Sequence, residues 1–179
     1  MLENLPVLIG EEEIQKRIAE VAAEIDKDYK GEDVVVISIL KGAVFFTVDL
    51  VKKMKTPIQL EVMQVSSYSG TESTGELIVK KDLDSDINGK NVLVVEDIID
   101  TGITLSYLKE HLKTKNPRSL KICTLLDKKE RRVCDIEPEY VGFNIPDKFV
   151  LGYGLDVDES YRNLPYIGYI EWCLILKKN

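Results

Sequence analysis

The stretch Asn91-Val92-Leu93-Val94-Val95-Glu96-Asp97-Ile98-Ile99-Asp100-Thr101-Gly102-Ile103-Thr104 decides how the rest of the chain is read. Asn91 to Val95 is apolar, rich in β-branched residues and free of Gly and Pro, which fits a strand buried on both faces of a parallel sheet. The strand ends abruptly in acid, with Glu96, Asp97 and Asp100 placing three carboxylates within five residues. Beyond them Leu105, Leu108 and Leu112 recur at helical spacing. Strand, acidic turn, small-residue loop and helix thus follow one another. In open α/β sheets ligands sit at the carboxyl ends of strands, and a helix N-terminus offers unpaired N–H groups to an anion. The stretch therefore reads as a phosphate cradle with carboxylates beside it. Taken alone, Asp-Thr-Gly before a helix is as often only a turn and an N-cap. Three crowded carboxylates weigh against that, because they repel one another unless a cation or a hydroxyl-rich ligand lies among them. Consecutive strand residues point to opposite faces, so Glu96 and Asp97 can share a ligand only if the strand has already ended.

Composition narrows the classes. A chain of 179 residues suggests one domain with a real core, and 44% hydrophobic with 31% charged residues is ordinary for a soluble globular protein. A formal net charge of −7 argues against nucleic acid or an anionic membrane as the main partner, leaving room only for a local basic patch. The start lacks a basic region before an apolar core, so no secretory signal is expected, and no run approaches the roughly 18 apolar residues of a membrane span. Cys123, Cys134 and Cys173 lack C-x-x-C spacing, and with the single His111 they argue against zinc. A reduced, cytoplasmic protein is expected.

In chain order, Ile14, Ile18, Val21, Ala22 and Ile25 make Glu11 to Tyr29 an amphipathic helix closed by Gly31. Val34 to Leu40 is a buried strand followed by Lys41-Gly42-Ala43, a helix from about Val44 to Met54, and a strand from Ile58 to Val65, which predicts a right-handed crossover. Ser66 to Gly75 is small and hydroxylic, a mobile loop or a plain hairpin connection to Glu76 to Lys80. Gly70 to Gly75 matches the first six positions of a Walker A pattern, but Glu76-Leu77 follows, so that match is discarded. Ser119 to Leu126 is a fourth core strand. The charge run Asp127 to Arg132 at its end is a solvated loop or, if the strands are parallel, part of the edge that carries Lys41 and Asp97. Tyr140 to Phe143, Phe149 to Leu151 and Tyr166 to Leu176 read as strands.

What projects from that edge is Lys41, three carboxylates, the cradle from Asp100 to Thr104, Lys128, Asp156 and Arg162. Several cations suit a ligand with more than one phosphate, and the carboxylates suit Mg²⁺ and sugar hydroxyls. The sum points to a phosphorylated sugar bearing a second, pyrophosphate-like group.

Val94 to Gly102 resembles the 5-phosphoribosyl-1-pyrophosphate signature of type I phosphoribosyltransferases, most closely that of hypoxanthine-guanine phosphoribosyltransferases of bacterial type. Leu40-Lys41-Gly42, Ser67-Tyr68, Lys128, Ile145 to Val150, Gly152-Tyr153, Leu155-Asp156 and Tyr161 to Leu164 match in the same order, so the resemblance covers nearly the whole chain. It implies an α/β fold of type I: a central, mainly parallel sheet flanked by helices in a single domain over 1–179, with a small hood from about 1–10 and 145–179. It implies Mg²⁺-dependent transfer of ribose 5-phosphate onto hypoxanthine or guanine, with release of pyrophosphate, in purine salvage.

The same resemblance assigns roles. Glu96 and Asp97 would hold the ribose hydroxyls, and with Asp156 they would serve Mg²⁺. Asp100 would be the base at purine N7, while Thr101, Gly102, Ile103 and Thr104 cup the 5-phosphate. Lys41-Gly42, often a cis peptide in this family, and Arg162 would contact pyrophosphate. Lys128 would donate to the purine 6-oxo group, Phe149 would stack on the ring, and Val150 and Asp156 would border it. Ser67 and Tyr68 would belong to a closing loop. A homodimer or homotetramer is implied. Ile103 stands where mammalian members carry Lys, and Val157 where relatives often have Tyr. A sensor that keeps the sugar-pyrophosphate pocket and binds RNA or a protein is the alternative, disfavoured because Asp100, Lys128 and Phe149 are all present.

Overall fold

In the computed structural model, residues 5–67 and 77–170 are described. Strand β1 (Val7–Ile9) leads through Gly10 into helix α1 (Glu11–Asp28), whose first turn carries Glu11, Glu12 and Glu13 at the positive end of the helix dipole. The face predicted from its spacing, Ile14, Ile18, Val21, Ala22 and Ile25, is buried. Each of its Ile and Val side chains, fully buried, contributes about 1.5–3 kcal/mol, and Ala22 less. Then come β2 (Val34–Leu40), α2 (Val44–Lys53), β3 (Ile58–Ser67) and β4 (Leu77–Lys81). The second half holds β5 (Asn91–Ile99), α3 (Ile103–Lys113), β6 (Ser119–Asp127), a 3-10 turn at Lys129–Arg131, β7 (Tyr140–Asn144), β8 (Phe149–Leu151) and β9 (Ile167–Ile170).

The six-stranded sheet runs β4-β3-β2-β5-β6-β7 and is parallel except for the β3–β4 pair. From β2 the chain steps outward to β3, whereas from β5 it steps the other way to β6. Crossovers of one hand then place α2 and α3 on opposite faces. The packing agrees: α1 and α2 share a core with Val36, Leu93 and Val95, whereas Leu105, Leu108 and Leu112 of α3 pack with Val35, Val92 and Val94. The strand order reverses between β2 and β5, so the crevice for a ligand opens at their carboxyl ends. A separate three-stranded sheet, β1-β9-β8, joins the two ends of the described chain.

Two expectations need correction. The strand that begins at Asn91 does not stop before the carboxylates: pairing with β6 continues through Glu96↔Thr124 and Ile98↔Leu126 to Ile99↔Asp127. Pairing with β2 ends at Ser38↔Val95, so the acidic residues sit on a strand extension supported on one side only. Alternation also slips there. Val95 and Ile98 both pack toward α1, and Ile99 packs toward α3. Regular alternation would put Ile98 on the face opposite Val95, so Glu96 and Asp97 are not forced to opposite sides. The second correction concerns the cis peptide, which is Leu40-Lys41, one bond before the expected Lys41-Gly42.

Candidate active site

The turn after β2 and the extension of β5 meet side by side. A Cβ on Gly42 would collide with the Asp97 carboxylate, so the absence of a side chain at Gly42 is what lets Asp97 lie against this turn. Ile98 N–H donates to Asp97 Oδ1 at 2.8 Å and Asp97 N–H to Glu96 Oε1 at 3.2 Å, which fixes both side chains from the backbone. Burial, and then the Asp97 charge beside it, hold the Glu96 carboxyl well above the usual carboxylate range. A divalent cation or ribose hydroxyls would relieve that repulsion, so this donor pair fits Mg²⁺, which takes one or two carboxylates and completes its shell with water and ligand phosphate. Among the described residues no three acidic, His or Cys side chains converge on one metal position. Asp156 is instead paired with Arg162 at 2.8 Å.

The cradle is braced from beneath. Gly102 caps α3 with φ +83, and a Cβ there would press on Ile136, Arg132 and Cys134 at 2.7–2.9 Å. Val133 N–H donates to Thr101 O at 3.1 Å, and Cys134 Sγ lies 3.4 Å from the same oxygen. Arg132 in turn pairs with the buried Asp127, whose carboxyl is pushed up by burial and pulled down by this Arg. The segment after β6 thus presses the loop from Thr101 to Thr104 into shape. Ile103 is exposed, and its backbone N–H, which donates to Thr101 Oγ1 at 3.4 Å, stands at the start of α3, where an anion would compete for it.

Toward β7 and β8 the charges form a chain. Asp100 Oδ1 lies 2.9 Å from Arg131 Nε, Arg131 reaches Asp147 at 3.4 Å, and Asp147 lies 3.7 Å from the nearly buried Lys128 Nζ. Lys128 N–H donates to Ile99 O at 2.9 Å, which ties the turn after β6 to the end of β5. Phe149 and Val150 lie on β8, paired with Ile170 and Tyr169 of β9.

On the other flank, Gly154 packs on Gly42 O so closely that a Cβ has no room, and Arg162 Nη1 donates to Gly154 O at 2.7 Å. Tyr153 donates to Asp49 of α2 at 2.6 Å, and burial pushes its phenol well up. The structure therefore gathers Lys41, Gly42, Glu96, Asp97, Asp100 to Thr104, Lys128, Asp156 and Arg162 along one edge, at the reversal of strand order. Ser67 ends β3, whereas Tyr68 lies outside the described residues. Sequence reading missed Arg131, Asp147 and Glu159 as partners of the site. Arg131 sits in a charge run that composition assigns to solvent as readily as to a site.

The doubly wound sheet carries paired carboxylates and a loop capped by Gly102 at its switch point, and residues 10–158 match the phosphoribosyl transferase domain family, which gives the class of protein. The chain is 50% identical over 172 residues to a hypoxanthine-guanine phosphoribosyltransferase of Mycobacterium bovis, covering 92% of this chain and 85% of that one. A Staphylococcus aureus protein of the same name is 53% identical over 163 residues, covering 90% and 91%. The crystal structure of a hypoxanthine-guanine phosphoribosyltransferase from Bacillus anthracis superimposes with a TM-score of 0.90 at 48% identity, over 94% of this chain and 100% of that one. The chain belongs to the hypoxanthine-guanine phosphoribosyltransferase family.

Proposed function

We propose that this enzyme transfers ribose 5-phosphate from 5-phosphoribosyl-1-pyrophosphate to N9 of hypoxanthine, and of guanine, giving IMP or GMP and pyrophosphate in purine salvage. The observation that carries this reading is the juxtaposition of Gly42, Asp97, Glu96 and the braced cradle at the strand-order reversal. In it, backbone N–H groups from Thr101 to Thr104 hold the 5-phosphate at the start of α3. Glu96 and Asp97 hold the ribose hydroxyls and stabilise the positive charge that develops on the sugar as its bond to pyrophosphate breaks. Lys41 and Arg162 take the negative charge that leaves. Glu96 and Asp97 would hold Mg²⁺ on the ribose side, and Asp156, released from Arg162, would hold it on the pyrophosphate side, where the metal would supply charge neutralisation.

Asp100 accepts the purine N7 proton, with its Oδ1 held by Arg131. Lys128 donates to the 6-oxo group, which adenine cannot accept because it presents an amino donor at that position. Phe149 stacks on the ring and Val150 lines it. The loop containing Ser67 and Tyr68 closes to keep water from the activated sugar. The β1-β9-β8 sheet acts as the hood of one domain, and a cytoplasmic homodimer or homotetramer is the working state.

The test is a spectrophotometric assay with 5-phosphoribosyl-1-pyrophosphate and Mg²⁺, comparing hypoxanthine, guanine, xanthine and adenine. Nucleotide from hypoxanthine or guanine but not adenine supports the reading and the role of Lys128. No product from any base, in folded protein that still binds the sugar pyrophosphate, would turn the reading to a sensor.

A further inference from the structure

The two cations assigned to pyrophosphate already share an anion. Lys41 Nζ lies 2.9 Å from Glu159 Oε2, and Arg162 Nη2 lies 3.4 Å from the same oxygen. We propose that Glu159 is a built-in competitor of pyrophosphate: its carboxylate holds the anion position between Lys41 and Arg162 until the sugar pyrophosphate displaces it, and returns as the product leaves. This rests on the assignment of Lys41 and Arg162 given above.

The loop that carries Glu159 is shaped to aim it. Asp158, Glu159 and Tyr161 all have positive φ, at 50°, 60° and 74°, a region that residues other than Gly seldom adopt. Glu159 N–H donates to Asp156 Oδ2 at 2.9 Å, and Val157 and Ser160 pair with each other across the turn. Arg162 and Glu159 therefore sit on one compact turn, and Gly154 seats the start of that turn on Gly42. Without this turn, nothing would bring Glu159 to a lysine 118 positions away.

The strength of the contact suits displacement. Lys41 and Glu159 are 56% and 65% exposed, and exposed ion pairs are weak and easily opened. A buried pair of the same geometry would resist opening and block the site. Glu159 brings one negative charge to Lys41 and to an Arg162 that Asp156 already holds at 2.8 Å, and pyrophosphate brings several, so the substrate wins when it is present. When the competent state is only partly populated, apparent affinity falls by that fraction. For a weak exposed pair this amounts to about twofold to sixfold.

Glu159→Gln keeps the side-chain size and removes its charge. Titration calorimetry with inorganic pyrophosphate and Mg²⁺ should show the full-length variant binding pyrophosphate about twofold to sixfold more tightly than the unmodified chain. In the assay, product inhibition by pyrophosphate should strengthen by a similar factor, with KM for hypoxanthine unmoved. Lys41→Ala, run beside it, should weaken pyrophosphate binding. Loss of binding in Lys41→Ala with no change in Glu159→Gln overturns the competitor and leaves the pyrophosphate assignment standing. Weaker binding in Glu159→Gln also overturns it, because Glu159 would then be organising the cations for the ligand. Unchanged binding in Lys41→Ala overturns the assignment beneath both.

Discussion

The two edges of the central sheet use charge in opposite ways. At the amino edge a cavity of about 580 Å³ is bordered by Glu32, Gln59, Lys90, Asn91 and Arg118. Its polar groups satisfy one another: Asn91 donates to Glu32 at 2.6 Å, Arg118 pairs with Glu32 at 3.2 Å, and Lys90 reaches Gln59 at 3.1 Å. At the carboxyl edge, Glu96 is crowded by Asp97, and among the described residues Asp100 Oδ1 has a charge partner but no aligned hydrogen bond and the buried Arg162 Nε has no acceptor. Space alone does not mark a site. Charges left unresolved, at the place where strand order reverses, do mark one.

The strongest way to break that contrast is Asp100→Asn. It should preserve the fold and binding of the sugar pyrophosphate while lowering turnover by roughly 10² to 10⁴, the usual worth of general acid–base catalysis. Steady-state kinetics beside calorimetry would check this. Near-normal turnover would remove Asp100 from its role and leave the carboxyl edge with charge but no base.

A smaller effect separates two glycines. In Gly42→Ala the new methyl must move Asp97, and a displacement near 1 Å at a reacting centre costs on the order of 10² in rate. Gly89, at the amino edge, has φ +70 and open space around it. Gly89→Ala should therefore cost about 1 kcal/mol of stability through backbone strain and leave kcat and KM unchanged. Thermal unfolding and kinetics on both variants would expose the difference, and equal kinetic losses would contradict it.

How far these sites can be read in advance depends on range along the chain. The helical face from Ile14 to Ile25 and the buried strands are local patterns, and each is where the sequence placed it, whereas Glu96 and Asp97, expected in a turn, lie on β5. The extension of β5 to Ile99 was not legible, because it depends on nine-residue β6 offering pairing beyond the last contact with β2. The pairing of Arg131 with Asp100 was hidden for a related reason. A run of Lys, Glu and Arg has no periodicity, and only the parallel alignment of β5 and β6 brings its residues to the carboxylates. Glu159 was visible as an acid in a loop, but its partner Lys41 could not be inferred without the turn made by positive φ residues.

A fourth variant tests whether the crowding of Glu96 has a stability cost. A carboxyl raised in the folded state binds its proton more tightly there than in the unfolded chain. Stability of the unliganded protein should then fall as pH rises from the ordinary carboxylate range through the raised value of Glu96. Glu96→Gln should flatten that dependence and stabilise the unliganded protein by about 1 kcal/mol near neutral pH, at the expense of ribose binding. Urea unfolding at several pH values reads the effect, and an unchanged slope would show that Asp97 and Glu96 are already reconciled without a ligand.

The smallest expected effect belongs to the amino edge, and it is the sharpest check on the contrast. Arg118 and Glu32 are 66% and 49% exposed, and Arg118 N–H keeps its bond to Lys90 O whatever the side chain. Arg118→Ala should change stability by less than about 0.5 kcal/mol and leave turnover, KM and base preference untouched. The cavity is nevertheless lined by Val34, Val35 and Asn91, at the amino ends of the two strands that carry Lys41 and Glu96 at their other ends. A tenfold fall in kcat/KM would mean that strain at one edge travels along β2 and β5 to the other. The filled charges of the amino edge would then be part of the catalytic apparatus rather than its resting counterpart.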